Sequence, residues 1–107
     1  MASARASVLV NLQKCQLTLA NLRAQHASSR KSLEEAEGSI RTLEAKTARS
    51  EREEARLDNS YDRAKNLADE CHRLGAAIER KEAEEADVKR ALQTLPPGEM
   101  FLLCSLH

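Results

Sequence analysis

Aromatic side chains are almost missing from this chain: Tyr61 and Phe101 are the whole complement in 107 residues, and there is no Trp. Globular cores draw much of their buried area from aromatics, so a compact single-domain core is not where this sequence finds its stability. Glycine and proline are scarce as well, at three and two. No run of β-branched residues alternates with polar ones, which removes the turn-rich, strand-rich architectures. No stretch approaches the ~20 consecutive apolar residues needed to span a bilayer, so no transmembrane segment is expected. The three cysteines, Cys15, Cys71 and Cys104, form no CxxC pair. No disulfide framework follows, and the reducing cytoplasm is the expected compartment.

Acidic residues are absent from positions 1–33, which hold Arg5, Lys14, Arg23, Arg30 and Lys31 for a charge of +5. Residues 34–107 carry 12 basic and 17 acidic side chains, −5, so the chain as a whole is neutral. A basic first third could meet an acidic surface such as a tubulin tail, a nucleic acid or an anionic membrane. No aromatics interleave with those charges to stack on bases, and a solvated helix face accounts for them equally well. An acid-free, Ser- and Arg-bearing start also has the composition of a mitochondrial transit peptide. A cleaved presequence, however, has no reason to share a register with the helix that follows it, and here the register is shared. Ala6–Val10 is too short for the apolar region of a secretory signal.

What the chain does have is a seam. Val8, Leu12, Cys15, Leu19, Leu22, His26, Ser29, Leu33, Ala36, Ile40 and Leu43 follow one another at alternating steps of four and three. This 3.5-residue repeat keeps one side of a helix turned toward a partner helix. Carried onward in the same register, the seam turns polar at Thr47, Ser50 and Glu54, then recovers at Leu57, Tyr61 and Ala64. The best later set is Leu67, Cys71, Leu74, Ile78, Lys81, Glu85, Val88, Leu92 and Leu95, reached through an apparent three-residue slip. Charged residues are 32% of the chain, in keeping with long helices and coiled coils. Pairs such as Glu37 with Arg41, Asp69 with Arg73 and Glu85 with Lys89 are spaced to add roughly 0.2–0.5 kcal/mol each.

The expected fold is therefore all-α, a coiled-coil region over 4–95. Two forms compete. One is a single continuous helix of roughly 138 Å at 1.5 Å per residue. The other is an antiparallel helical hairpin that folds back near residues 46–56. Apolar arms of similar length on either side of the polar gap favour the hairpin. The lack of Gly, Pro or Asn in that gap, residues that short turns usually need, tips the reading toward the continuous helix. Pro96-Pro97-Gly98 breaks the helix, and residues 96–107 form an apolar tail in which Met100, Phe101, Leu102 and Leu103 are candidate docking residues.

Leu92 to Leu103, a helix ending in Leu-Pro followed by an apolar stretch, resembles the first half of a prefoldin subunit, where a coil leads into a β-hairpin. The return hairpin and the second long helix of that family have no counterpart here, so its function does not carry over.

Nothing in the sequence is arranged for catalysis. There is no Gly-rich phosphate loop, no HExxH and no GxSxG. Asp69 and His72 share a helix face, but a di-metal site of that kind needs a second copy on another helix. Cys71 and His72 diverge by about 100° and are no nucleophile–base pair. His26, at a seam position, is better suited to fixing register than to binding metal. No catalytic residue, cofactor, metal or small-molecule substrate is expected. The expected role is a non-catalytic coiled-coil subunit of a larger assembly, cytoskeletal, ciliary or tethering, in which Leu12, Leu19, Leu22, Leu33, Ile40, Leu43, Leu57, Leu67, Leu74, Ile78 and Leu92 meet the helices of homo- or hetero-oligomeric partners. The alternative is a small helical chaperone or cofactor that holds a client such as tubulin.

Overall fold

The structure, a computed structural model, describes residues 4–95. The Pro-Pro-Gly break, the apolar tail and most of the prefoldin-like stretch lie outside the described residues. Two helices make up the rest: α1, Ala4–Glu44, and α2, Glu51–Gln93. They pack antiparallel as a helical hairpin. The chain thus takes the folded-back form of the two that the seam allowed, in spite of a connection without turn residues.

Side chains rather than glycine make that connection, Ala45–Ser50. Ser50 is the N-cap of α2. Its Oγ accepts from the Glu53 N–H at 3.2 Å, while the Ser50 N–H donates to Glu53 Oε1 at 3.1 Å. This is a reciprocal capping box, which satisfies two donors a helix start would otherwise leave open. The first α2 backbone bond, Glu54 N–H to Ser50 O, follows at 2.9 Å. Arg49 closes the other end. Its Nη1 donates to the carbonyls of Leu43 and Lys46, both at 3.2 Å, and its Nε donates to Glu54 Oε1 at 2.8 Å. One guanidinium therefore ties the Leu43 carbonyl, which also accepts the Lys46 N–H at 3.2 Å, to the Lys46 carbonyl of the connection and to Glu54 in the first turn of α2. Lys46 adds an ion pair to Glu53, and the Tyr61 hydroxyl donates to Glu44 Oε2 at 2.8 Å. Among the described residues no backbone φ is positive, so the turn asks for no left-handed residue and glycine is not needed.

Charges complement the helix dipole at both ends of α2 and at the C-terminal end of α1, whereas the first turn of α1 holds no acid and carries Arg5. The first turn of α2 holds Glu51, Glu53 and Glu54, and the last turns of α1 and α2 hold Arg41 and Arg90.

The chain divides into two compact units. In Leu22–Ala77, the second half of α1 lies antiparallel to the first half of α2, and Ser29, Ala36, Leu43, Leu57 and Leu74 are buried. In the other unit, the start of α1 lies against α2 from Ile78 onward, and Cys15 and Leu19 are buried. The Cys15 thiol there donates to the Lys81 carbonyl at 3.5 Å.

The apparent slip in the seam has a simple resolution. On α2 the residues turned inward include Glu53, Leu57, Ser60, Ala64, Leu67, Cys71, Leu74, Ile78, Lys81, Glu85, Val88 and Leu92, all buried or half-buried. Their steps alternate between four and three without interruption, so α2 contains no stammer. Half-buried Ser60 occupies the seam, and Tyr61, 43% exposed, lies outside it. The slip arises only when the register of α1 is carried through the turn, and in a hairpin the two arms keep independent registers.

Candidate interaction surface

Of the residues expected on the seam, Leu19, Leu43, Leu57 and Leu74 are buried. Leu12, Leu22, Leu33, Ile40, Leu67, Ile78 and Leu92 are half-buried. The first group lies at the centre of the contact between the arms. The second group keeps part of each side chain open to solvent at its edges. Two helices can enclose only a narrow strip of each other, and the wider stripe that these sequences carry is left partly open.

The polar members of the seam are accommodated locally. Ser29 is buried. Half-buried Lys81 turns its ammonium to Glu84 Oε2 at 2.8 Å, and that carboxylate holds the lysine pKa above its ordinary value. Its stem can thus cover apolar surface while the charge stays wet. Glu85 pairs with Lys89 at 3.9 Å, the i,i+4 spacing read from the sequence. His26 is half-buried, and its Nε2 lies 3.9 Å from where a Cβ on Gly75 would stand.

Burial is the first cause that pushes the Cys15 thiol above its usual pKa; the negative charges of Glu84 and Glu85 act in the same sense and Lys81 opposes them. Thiolate chemistry is thereby discouraged. At the turn, Glu53 is held down to about 2, first by its hydrogen bond from Lys46 and then by that from the Ser50 backbone. Tyr61 is raised, chiefly because its proton is held by Glu44. The Glu53 and Tyr61 shifts are thus set by hydrogen-bond partners, and the Cys15 shift by burial.

Asp69 and His72 are both exposed. Among the described residues no group of three or more His, Cys, Asp or Glu side chains is placed to hold a metal ion, and no helix is long and apolar enough to cross a membrane. Among the described residues, an open groove lies beside Gly38, Thr42, Leu43, Lys46 and Arg56 near the turn.

One feature of the surface escaped the seam reading. Ala6, Val10, Gln13, Leu17 and Ala20 also follow at steps of four and three on α1, on the side away from the seam. Val10 and Leu17 are 46% and 66% exposed. The signal was the same heptad spacing, displaced in register and weakened by alanines. Arg49 was missed for a different reason: nothing in the local pattern separates a capping guanidinium from any other surface arginine.

Comparison of the chain with protein-family models, with curated proteins and with solved structures returns no match.

Proposed function

We propose that this hairpin is a non-catalytic helix-association element, a structural or scaffolding subunit whose half-open seam is completed by helices of other subunits. The observation that supports this reading most directly is the row Leu12, Leu22, Leu33, Ile40, Leu67, Ile78 and Leu92, large apolar side chains that the hairpin encloses only in part. Small two-helix units rarely bury enough apolar area to stand alone, and further helices are the usual remedy. Cytoskeletal, ciliary and tethering assemblies are the settings that use such elements. Residues 1–33, basic and free of acid, would then suit an acidic surface of the assembly.

A pair of substitutions tests the reading. Leu33 is half-buried on the seam, and Glu37, one turn on, is exposed. Leu33→Asp places a charge where a partner helix would pack and is expected to abolish co-purification of partners. Glu37→Ala is expected to leave it unchanged. Equal recovery of partners with both variants would defeat the assignment. A chain that stays monomeric and captures unfolded client through the open seam would instead point to a helical chaperone.

A further inference from the structure

We infer that the hollow beside Arg56 and Arg63 receives a partner helix that carries carboxylates one heptad apart. The inference rests on the helix-association reading and names the edge of the hairpin at which a partner docks. The hollow has a volume of about 240 Å³ and is lined by Ser39 of α1 and by Arg56, Asn59, Ser60 and Arg63 of α2. All five belong to the compact unit Leu22–Ala77. Arg56 and Arg63 each stand one residue before an inward position, Leu57 and Ala64, and so mark the edge of the seam. Charges at such edge positions choose the partner of a coiled coil. Among the described residues, none of the five polar side chains has a hydrogen bond or an ion pair.

The sequence leaves these two arginines without acids of their own. Elsewhere on α2, Lys81 meets Glu84, Lys89 meets Glu85 and Arg90 meets Asp87 within one turn. The positions one turn from Arg63 are Asn59, Ser60, Asn66 and Leu67, and none is acidic. Those around Arg56 are Arg52, Glu53, Asn59 and Ser60, and Glu53 is already held by Lys46 and Ser50. Glu35 lines the adjoining groove with Arg56 and forms no ion pair there. A guanidinium left in this way is a fork of donors matched to a carboxylate.

Spacing selects a helix as the occupant. Arg56 and Arg63 are one heptad apart, roughly 10.5 Å along α2. The same rise separates equivalent edge positions on a helix laid alongside, so one row of carboxylates meets both guanidiniums. A free anion such as phosphate makes no use of that repeat. Leu67, half-buried one heptad beyond Ser60 on the same edge of α2, offers apolar surface to the seam of the incoming helix.

The test titrates the full chain with a synthetic amphipathic helix that has leucine at its seam positions and one glutamate per heptad along a single edge. A second peptide has glutamine in place of each glutamate, and a third has the same glutamates scattered around the helix. The first is expected to bind about tenfold more tightly than either control at low salt, with the gap closing as salt screens the pairs. Arg56→Gln and Arg63→Gln, both at exposed sites, are expected to weaken that binding by about two- to fivefold each. Lys65→Gln, exposed on the side of α2 away from the hollow, is expected to leave it unchanged. Equal affinity for the glutamate and glutamine peptides overturns the inference but leaves helix association standing, since the seam alone would then hold the helix. Equal affinity for the scattered peptide overturns it too, by making the hollow a general anion site. So does an equal loss from all three substitutions. Failure of every peptide to bind also overturns it, and the comparison of Leu33→Asp with Glu37→Ala then judges the helix-association reading separately.

Discussion

Gly75→Ala should stabilise the hairpin, and the size of the gain follows from the structure. Gly75 lies inside α2, where glycine costs about 1 kcal/mol relative to alanine through backbone entropy. A methyl group added there would meet nothing nearer than His26 Nε2, 3.9 Å away, which is an ordinary van der Waals contact. No positive φ argues for keeping the glycine. The expected gain is therefore about 1 kcal/mol, or roughly 4–8 °C in Tm for a unit of this size. Gly38→Ala in α1 is the companion case. Its nearest atom would be Arg41 Nη2 at 3.8 Å, the mobile end of a flexible side chain, and a similar gain is expected. Thermal melts followed by circular dichroism at one fixed protomer concentration give both values. A lower Tm for Gly75→Ala, with Gly38→Ala raised, would show that the arms approach too closely at Gly75 to admit a methyl group and would refute the 3.9 Å clearance to His26.

The turn and the thiols supply further tests. Ser50→Ala removes the N-cap of α2 and should cost about 1 kcal/mol, read as a lower Tm; no loss would mean that the capping box does not hold the turn. Glu53 has a folded pKa of about 2 against an ordinary value near 4.5, so its contribution is complete above pH 4.5 and fades as pH falls through 2. Wild type should accordingly melt above Glu53→Gln at neutral pH, with the gap closing across that window; a gap that widens on acidification would reverse the sign of the argument. Cys15 is buried and Cys71 is only half-buried. In a Cys104→Ser chain, a neutral-pH thiol reagent should therefore modify Cys71 at least tenfold faster, and equal rates would contradict the burial of Cys15.

The 3.5-residue repeat made the inward face of α1 legible residue by residue. Leu19, Ala36 and Leu43 are buried where the spacing put them, because a heptad pattern is a direct record of which side of a helix is covered. The fold-back was harder to read. Turn chemistry is usually signalled by residues that tolerate positive φ, and this turn uses none. Ser50 and Glu53 are common residues in a chain this polar, so their capping box has little weight until the geometry is seen. Tyr61 illustrates a different limit. An aromatic at a near-seam position looks like a core residue, but its hydroxyl finds Glu44 at the surface, and Ser60 takes the inward place at the cost of apolar area. The outer strip on α1 was masked by the stronger seam beside it: alanines give a weak hydrophobic signal, and only the exposure of Val10 and Leu17 brings it out. Completion of the seam by other helices is not written in the chain at all, since a heptad repeat records that a face is covered and not by whom.

The most direct test of the account is sedimentation equilibrium on the isolated chain, with a thermal melt on the same sample. A hairpin whose seam needs other helices should have a solution mass at a multiple of 11.9 kDa. Failing that, at 11.9 kDa it should melt broadly, without a cooperative transition. A monomer that unfolds in one sharp transition above about 60 °C, well into the range of self-sufficient domains, would contradict the claim that the seam is incomplete.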